Sequence, residues 1–416
     1  MKINIESEIG TLEGVILHTP GAEVENMTPK NAERALYSDI LNLSIAQKEY
    51  NQLCCLLDKV TTTFQVRELL ESVLALPKAR AALISKICET EACPDLYDEL
   101  LALPEAPLAR HLIEGVLLTR DNLTRFLSEE RFALPPLHNF FFTRDAAMAI
   151  MNEILIGRMA KPVRSRESII MQAIFNHCPQ LTVKTVTPLE AKRFEPLATI
   201  EGGDVLVARK DIAVIGNGSR TSSQGIDFVI EMLKLKKDRE RHILVQELPH
   251  RPESFIHLDM VFTFLGKSHC MVFEPLMLKP SKYQTIHICI ENGRVTRIVE
   301  EKSLIHALRA LKMEVTPVCC GGKDSWDQER EQWHSGANFF ALAPDKVVGY
   351  ARNVHTMEAL NHQGFEIIGA EEIISGRRDL ADIDRCAIAL DGSELPRGGG
   401  GARCMTLPIR RQRVDG

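Results

Sequence analysis

Residues 204–248 read DVLVARKDIAVIGNGSRTSSQGIDFVIEMLKLKKDRERHILVQEL. The runs DVLVA and IAVIG are short, apolar and rich in β-branched residues, which is typical of buried strands. Residues 221–235 then carry apolar side chains at helical spacing, and the apolar run HILVQEL follows them. The order strand, strand, helix, strand predicts a mixed α/β unit.

The same alternation extends in both directions from this segment. Toward the C-terminus, the runs MVFTFL, CMVFE, TIHICIE, KVVGYA, FEIIGA and CAIAL predict strands, and residues 302–312 and 355–363 predict helices. Toward the N-terminus, residues 3–18 and the run TTTFQV predict strands, and residues 28–59 and 164–177 predict helices. Many short strands with interspersed helices favour a repeated α/β architecture over a single parallel sheet.

Residues 67–130 have a different composition. They are rich in leucine, alanine and glutamate, contain four prolines, and have no glycine before Gly115. This pattern predicts several short amphipathic helices and almost no strand. We expect them to form a helical module inserted into an α/β catalytic domain made of residues 1–66 and 131–416.

The overall composition is that of a globular protein. The 416 residues exceed the usual size of one hydrophobic core, and 45% are hydrophobic and 25% charged. A formal net charge of -6 argues against binding to bulk nucleic acid or to anionic membranes. The opening MKINIESEIGTLEGVILH has carboxylates where a signal peptide would be apolar, and no apolar run reaches the length of a membrane span. We therefore expect a cytoplasmic protein.

The cysteines are dispersed along the chain. Neither adjacent pair, Cys54-Cys55 or Cys319-Cys320, can easily form a disulfide, and no C-x-x-C spacing occurs. Most cysteines are expected to be small buried apolar groups. Cys404 differs from the others because four consecutive glycines precede it in RGGGGARCM. The glycines predict either a flexible linker or a loop that brings Cys404 to a ligand.

Three further segments collect polar residues inside apolar sequence. In HNFFFTRDAA, Asn139, Arg144 and Asp145 flank three phenylalanines. This is either a buried aromatic strand ending in a surface salt bridge, or an aromatic wall beside a carboxylate that suits a flat cation. In TIEGGDVLV, Glu201 and Asp204 bracket two glycines. This is either a turn entering a strand, or an opening into which carboxylates point.

The third segment is SFIHLDMVFTF, in which His257 and Asp259 are two residues apart on a β-like run. Alternate residues of a strand face the same side, so we expect the two side chains to lie together. They form either a core pair that satisfies each other's polar groups or part of a catalytic site.

A cysteine, a histidine and several acids are the components of a nucleophilic site. A hydrolase acting on an acyl group needs donors for an oxyanion, whereas several carboxylates suit a substrate that is itself a planar cation. A guanidinium has that shape and binds carboxylates through paired hydrogen bonds. The residues therefore predict thiolate attack on a guanidinium carbon.

Seven segments in order resemble the arginine deiminase family of the pentein superfamily: SEIGTLEGVILHTPG, NFFFTRD, IEGGD, GNGSRTS, HLDMVF, REQWHSGANFFALAP and RGGGGARCM. The resemblance spans nearly the whole chain. It implies a five-bladed α/β propeller around a central pocket, with an inserted helical module. It also implies hydrolysis of L-arginine to L-citrulline and ammonia without a metal or an organic cofactor. We further expect a homo-oligomer, either a dimer or a tetramer.

The resemblance also implies catalytic roles. Cys404 would be the nucleophile that forms a covalent amidino-thioether. His257 would act first as general acid and then as general base, and Glu201 would orient it. Asp145 and Asp259 would hold the substrate's guanidinium.

Other residues would bind the rest of the substrate. The resemblance assigns Asn139, Arg164 and Arg220 to the α-carboxylate and Phe142 to the aliphatic side chain. Two arginines at this end of the pocket favour free arginine over arginine within a peptide. One departure concerns the glycine loop, where Gly399 occupies the place of an arginine that gates the pocket in many members. Either the gate is absent from this chain, or Arg397 or Arg403 serves as the gate. A second departure is the segment LYSDI, which replaces a more acidic pattern of the family near Asp39, so the resemblance assigns no role to Asp39.

Several alternatives remain open at this point. Agmatine deiminase, dimethylarginine hydrolase and amidinotransferase use the same catalytic parts, although Arg164 and Arg220 argue against agmatine, which lacks an α-carboxylate. A binding protein without turnover would not need the thiol. A zinc protein is disfavoured because the thirteen histidines show no H-x-x-x-H or H-E-x-x-H spacing. A papain-like protease is disfavoured because no cysteine lies in that family's local signature.

Overall fold

The computed structural model describes residues 1–32, 36–37, 39–181, 183–194 and 197–414. Its strands, in chain order, are β1 (Leu12–Leu17), β2 (Thr62–Gln65), β3 (Val116–Leu117), β4 (Phe132–Leu134), β5 (Ala147–Ile150), β6 (Glu153–Ile156), β7 (Thr185–Val186), β8 (Val205–Arg209), β9 (Ile212–Asn217), β10 (Arg241–Glu247), β11 (Phe262–Phe264), β12 (His269–Val272), β13 (Thr285–Glu291), β14 (Arg294–Glu301), β15 (Thr316–Cys319), β16 (Phe340–Ala343), β17 (Lys346–Tyr350), β18 (Glu366–Gly369), β19 (Cys386–Leu390) and β20 (Leu407–Arg411).

The α-helices alternate with these strands. They are α1 (Ala22–Glu25), α2 (Pro29–Ala32), α3 (Leu43–Val60), α4 (Val66–Leu74), α5 (Pro77–Thr90), α6 (Tyr97–Ala102), α7 (Glu105–Glu114), α8 (Leu123–Leu127), α9 (Ser165–His177), α10 (Ser223–Lys234), α11 (Glu274–Met277), α12 (Leu304–Ala310), α13 (Ser325–Trp333), α14 (Val354–His362) and α15 (Ala370–Ile374). Over the residues just given as described, no helix is both long enough and apolar enough to cross a membrane.

The described strands form six sheets, and five of them share one pairing pattern. In each of these five sheets, two strands pair antiparallel. One of these two strands also pairs parallel with a third strand, which follows it in the chain after at least one helix. The largest sheet shows this in β8 with β9 and in β9 with β10, across α10. In another, the C-terminal strand β20 pairs antiparallel with β1, which pairs parallel with β2. The first and last strands of the described chain therefore lie in one sheet.

The mixed α/β class and most of the predicted strands agree with the structure. TIHICIE and CAIAL coincide with β13 and β19, and the predicted helix 355–363 differs from α14 by one residue at each end. The prediction missed β14. This strand lies at the edge of the five-stranded sheet, and most of its side chains are exposed. An exposed edge strand lacks the apolar pattern by which strands are recognised.

The predicted helix over residues 28–59 is not continuous. Residues 33–35 and 38 lie outside the described part of the chain, and the long helix α3 begins only at Leu43. The side chain of Asn42 accepts a hydrogen bond from the backbone N–H of Ile45. This N-cap fixes the start of α3.

The five-stranded sheet separates two apolar cores. Ile243 and Val245 of β10 lie in the core that also contains the buried faces of α4, α5, α7 and α9. Leu244, on the opposite face, lies in the core that contains α12. The helices of segment 67–130 therefore pack on the α/β part of the chain through a shared core.

The loop before the four glycines is anchored to α3 by a buried carboxylate. Glu49 accepts backbone hydrogen bonds from Ser393 at 2.7 Å, Glu394 at 3.1 Å and Leu395 at 2.9 Å. The carboxylate of Glu49 thereby satisfies three backbone N–H groups that have no other acceptor among the hydrogen bonds of the described structure. Helix α3 thus holds the start of the segment that leads to Cys404.

We expect Glu49→Ala to lower the free energy of unfolding by about 2 kcal/mol, because it leaves buried backbone donors without acceptors. The measurement is denaturant unfolding followed by circular dichroism. The control is Lys48→Ala, which changes an exposed residue of the same helix. Equal unfolding midpoints for the two variants would contradict the anchoring role.

Candidate active site

A cavity of about 310 Å³ lies against Cys404. Most of the residues that the sequence assigned to a site line it, namely Asn139, Phe142, Asp145, Arg164, Arg220, His257, Arg397, Gly399 and Cys404. Glu201 and Asp259 are fully buried and contact lining residues from behind. The structure therefore brings all of the predicted site residues to one place.

Five separate loops supply the central side chains. Asp145 lies before β5, Arg164 lies between β6 and α9, Arg220 lies between β9 and α10, His257 follows β10, and Cys404 precedes β20. Loops at the ends of packed strands can present polar groups that the strands themselves could not bury. The convergence of these loops creates the cavity.

His257 and Glu201 form a buried charged pair, with 2.9 Å between Nε2 and Oε2. Burial by itself lowers the pKa of His257, but the charge of Asp145 and the hydrogen bond to Glu201 outweigh burial and raise this pKa to about 9. Burial by itself raises the pKa of Glu201, but the hydrogen bond to His257 and the charge of Arg220 outweigh it and lower this pKa to about 2. At neutral pH His257 therefore holds a proton that it can donate.

Asp145 faces the other ring nitrogen of His257. Its Oδ1 lies 3.7 Å from Nδ1 of His257, and its Oδ2 accepts a hydrogen bond from Nη1 of Arg164 at 2.7 Å. Within the described part of the chain, neither Oδ1 of Asp145 nor Nδ1 of His257 has a hydrogen-bond partner. Buried polar atoms are rarely left in this way, so the two atoms mark a place for a ligand.

Arg164 is held by two carboxylates. Besides the bond to Asp145, its Nε lies 3.0 Å and its Nη2 lies 2.7 Å from the two oxygens of Glu167. Burial by itself lowers the pKa of Arg164, but the charges of Glu167 and Asp145 outweigh it and raise this pKa, so the guanidinium stays charged. Part of the charge of Arg164 is thereby neutralised before any substrate binds.

The Cys404 thiol lies beside Asp259, with Sγ 3.7 Å from Oδ2. The same Oδ2 accepts a hydrogen bond from Nη1 of Arg403 at 2.7 Å, and Arg403 also bonds to Glu8 at 3.0 Å. Asn338 joins this group, because its Oδ1 accepts the backbone N–H of Cys404 at 3.1 Å and its Nδ2 donates to the backbone oxygen of Asp259 at 3.1 Å. These bonds fix the thiol relative to the carboxylate.

The surroundings of Cys404 favour the protonated thiol. Burial raises the pKa of Cys404, and the charges of Asp259 and Asp145 raise it further. A thiol must lose its proton to become a nucleophile. A cation that binds between these acids would reverse part of the electrostatic effect and favour the thiolate.

Glycines are required where the site loops touch. A Cβ atom on Gly203 would lie 2.5 Å from Nδ1 of His257, and one on Gly400 would lie 2.5 Å from Cε1 of Phe142. A Cβ on Gly401 would lie 2.7 Å from the Asn338 side chain. Two of the glycines before Cys404 are thus packed against other segments, so the interpretation as a flexible linker is wrong.

Arg220, Phe142 and Asn139 line the rest of the cavity. Nη1 of Arg220 lies 3.5 Å from Oε2 of Glu201 and, among the residues the structure describes, has no hydrogen-bond partner. The Phe142 ring stacks on Phe141 with 4.1 Å between centroids. The wall therefore offers an apolar face and a cation with an unused donor.

The cavity rim carries Arg397 and Gly399. Arg397 bonds to Asp39 through Nε at 3.0 Å and to Glu394 through Nη1 at 3.1 Å. Gly399 has φ of 83°, and no atom of the residues that the structure describes lies within 4 Å of the position of an added Cβ. Arg403, which the sequence offered as a second candidate for the gate, cannot be one, because it is buried between Glu8 and Asp259.

The predicted placement of His257 and Asp259 on one face of a strand is wrong. His257 is the extended residue before the turn Leu258–Met260, which contains Asp259, and β11 begins only at Phe262. The carboxylate of Asp204 accepts the backbone N–H of Leu258 at 2.8 Å and so stabilises this turn. Asp204 therefore supports the His257 loop and does not line the cavity.

Sequence reasoning missed three residues that hold the site together: Glu8, Glu167 and Asn338. Glu167 follows Arg164 by three residues, which is the spacing of a helical ion pair and could have indicated it. Glu8 and Asn338 lie inside two of the seven quoted segments, but their partners are distant in sequence. Local sequence carries no signal for such pairs.

Three site residues could also hold a metal ion. Asp145, Glu201 and His257 each offer one ligand atom, and these atoms lie within 4.8 Å of one another. However, Nη1 of Arg164 lies 4.0 Å and Nη1 of Arg220 lies 3.5 Å from Oε2 of Glu201. In addition, His257 is paired with Glu201 at 2.9 Å, and its raised pKa keeps on the ring the proton that a metal-binding histidine must lose.

The chain matches the family model described as arginine deiminase over residues 33–411. It is 30% identical over 427 residues to an arginine deiminase of Listeria monocytogenes, with 99% of this chain and 98% of that protein covered. It is 31% identical over 432 residues to an arginine deiminase of Bacillus cereus, with 99% of each chain covered.

Two solved structures share the fold but little sequence. One is a substrate-bound mutant of the N-terminal domain of ArgZ, an arginine dihydrolase of Cyanobacteria, with a TM-score of 0.54, 12% identity, and coverage of 96% of this chain and 99% of that one. The other is SxtG, an amidinotransferase from Microseira wollei, with a TM-score of 0.53, 13% identity, and coverage of 99% and 98%. At this level of sequence identity, the similarity to these pentein structures indicates a shared fold and carries no information about function.

We expect Glu201→Gln to lower the pKa of His257 from about 9, because the variant removes a carboxylate that stabilises the imidazolium. The stability contributed by this raised pKa is present below the ordinary value of 6.5 and is lost as the pH rises through about 9. Nuclear magnetic resonance titration of isotope-labelled histidine measures the change. Glu358→Gln, at an exposed carboxylate beside His355, is the control and should leave the His257 titration unchanged. An unchanged titration in Glu201→Gln would refute the pairing.

Proposed function

This chain belongs to the arginine deiminase family, hydrolases of the guanidino carbon–nitrogen bond, and we propose that Cys404 is the nucleophile that converts free L-arginine and water to L-citrulline and ammonia. One observation carries the assignment of roles. The wall of a single cavity presents the thiol of Cys404, the charged imidazole of His257 and Oδ1 of Asp145, which has no hydrogen-bond partner among the described residues. A nucleophile, a proton donor and a carboxylate suit attack on a planar cation.

In the first half of the reaction, the Cys404 thiolate attacks the guanidinium carbon and a carbon–sulfur bond forms. His257 donates its proton to the departing nitrogen, the carbon–nitrogen bond breaks, and ammonia leaves. In the second half, His257 accepts a proton from water as the water oxygen attacks the amidino-thioether. The carbon–sulfur bond then breaks and the remaining hydroxyl proton passes to solvent, which gives the ureido group of citrulline and restores the thiolate. His257 keeps the proton taken from water for the next turnover.

The substrate would supply the charge that activates the thiol. Asp145 and Asp259 raise the pKa of Cys404 in the ligand-free site. A guanidinium held by these two acids places a positive charge next to Sγ and lowers that pKa, so the thiol releases its proton to solvent before the attack. Asp145 gives one oxygen to Arg164, and within the described structure its Oδ1 has no hydrogen-bond partner. Asp259 gives one oxygen to Arg403, and its Oδ1 lies 3.9 Å from Sγ of Cys404, where a substrate guanidinium would bind beside the sulfur.

Arg220 is the stronger candidate for binding the substrate's α-carboxylate. Its Nη1 has no hydrogen-bond partner in the described structure and the residue lines the cavity, whereas Arg164 is already bound by Asp145 and Glu167. Arg164 would interact with the substrate's α-carboxylate while it remains paired with Asp145 and Glu167, so its contribution to binding would be smaller. Phe142 would pack on the aliphatic part of the substrate, and Asn139 would add a polar contact. Arg397 and Gly399 would form the mouth of the pocket.

We further infer that the five sheets with a shared pairing pattern are the blades of a closed five-bladed propeller. The repeated pattern supports this, as does the pairing of β1 with β20, which joins the first and last strands of the described chain in one sheet. Residues 67–130 would be an insertion between two blades, because they lie between β2 and β5 in the chain. The catalytic domain would comprise residues 1–66 and 131–416. A homodimer or homotetramer stays a prediction.

The activity is tested with purified protein and three substrates: L-arginine, agmatine and a blocked arginyl peptide. We expect one citrulline and one ammonia per L-arginine and much slower turnover of the other two. Cys404→Ala should abolish the reaction and keep the fold, and Cys386→Ala, at a buried cysteine in β19, should retain it. Retained citrulline formation in Cys404→Ala would refute the nucleophile, and no ammonia from the unaltered protein would refute hydrolysis.

We expect Arg220→Ala to weaken kcat/KM for L-arginine about tenfold or more relative to kcat/KM for agmatine. The loss corresponds to a hydrogen bond between charged groups, which agmatine cannot form. The ratio of the two substrates cancels any effect that acts through the nearby Glu201. Arg239→Ala, at a partly exposed arginine, is the control. Equal losses for both substrates would contradict the carboxylate role.

A further inference from the structure

A second group of reactive side chains lies outside the cavity, on the five-stranded sheet. His242 on β10 is directly opposite Cys289 on the neighbouring strand β13, and His287 lies two residues before Cys289. Alternate residues of a strand share a face, and cross-strand partners lie side by side. The three side chains therefore meet on the face that also presents Leu244, which packs in the core containing α12.

The three potential ligand atoms are spaced as they would be around a zinc ion. Nδ1 of His242 lies 3.1 Å from Nε2 of His287, and Sγ of Cys289 lies 3.7 Å and 3.4 Å from these two nitrogens. Tetrahedral zinc with bonds of roughly 2.0 Å to nitrogen and 2.3 Å to sulfur separates its ligand atoms by about 3.3 to 3.6 Å. No large movement is needed to bind an ion here.

Carboxylates lie behind both imidazoles. Nδ1 of His287 lies 3.5 Å from Oε1 of Glu301, and Nε2 of His242 lies 3.7 Å from Oε1 of Glu240. Histidines that bind metals commonly direct the other ring nitrogen to a carboxylate, which fixes the tautomer and strengthens the ligand. Glu301 also contacts His306 of α12 at 3.2 Å.

The cluster is nearly but not completely enclosed. His242, His287 and Cys289 are 9%, 5% and 6% exposed. Solvent therefore touches the cluster at its edge, which makes water the expected fourth ligand of a bound ion, while the protein excludes most solvent from the other three.

We propose that His242, His287 and Cys289 bind one zinc ion, with water completing a tetrahedron. Imidazole and thiolate together select a borderline-soft divalent cation over magnesium or calcium. Cys289 releases its proton to solvent when its sulfur binds the ion. The bound ion cross-links β10 to β13.

The test uses the full chain, stripped with a chelator and titrated with Co²⁺ as a spectroscopic substitute for Zn²⁺. We expect one equivalent to bind with a thiolate-to-cobalt charge-transfer band in the near ultraviolet, and Zn²⁺ to displace it. The band should disappear in Cys289→Ala and in His287→Gln. It should remain in Cys386→Ala, a matched change at another buried cysteine. Absence of the band in the unaltered protein, or its persistence in Cys289→Ala, would overturn the proposal.

A further variant separates this site from the catalytic cavity. Cys404→Ala should keep the band, and loss of the band in that variant would overturn the proposal by assigning the ion to the cavity. Glu301→Gln leaves all three ligands in place and should weaken Zn²⁺ binding about 10- to 100-fold. Unchanged affinity would contradict the role of the carboxylate, and this variant keeps the test informative if a ligand substitution prevents folding. None of these measurements needs arginine turnover, so they are independent of the proposed function.

Discussion

Carboxylates buried beside a thiol need buried cations to compensate their charge, and the organisation of the cavity depends on this constraint. Arg403 binds Glu8 and Asp259, and Arg164 binds Asp145 and Glu167. An isolated buried charge is costly, and a buried pair is tolerated only when its hydrogen bonds are well made. Because most of these partners come from different loops, neutralising the charges also fixes the positions of the loops.

The same acids set the reactivity of the thiol. Asp145 and Asp259 raise the pKa of Cys404 in the ligand-free protein, and Glu201 with Asp145 keeps His257 protonated. The ligand-free site therefore holds His257 in the charged form and the Cys404 thiol in the neutral form. Under the proposed mechanism, a cationic ligand would lower the pKa of Cys404, which would couple the reactivity of the thiol to the charge of the substrate.

Much of the site could be predicted from polar residues inside apolar runs. Glu201, His257 and Cys404 were found in this way, since a core-forming segment does not place such groups together without a reason. The strand assignment of His257 and Asp259 failed because a hydrogen bond from Leu258 to Asp204, distant in sequence, turns the backbone there. The cluster of His242 with His287 and Cys289 was missed for a similar reason, because its spacing depends on strand register.

The sequence by itself determined the mixed α/β class, the helical character of residues 67–130, and a set of candidate site residues that the structure then brings to one cavity. Each of these depends on local composition, periodicity or short motifs, which are properties of neighbouring residues. Only the tertiary structure decided that Arg403 is buried as a partner of Glu8 and Asp259, and that Asn338 holds the Cys404 loop. Such contacts join residues far apart in the chain. Which partner compensates the charge of a buried group therefore depends on the fold, because only the fold places the two groups side by side.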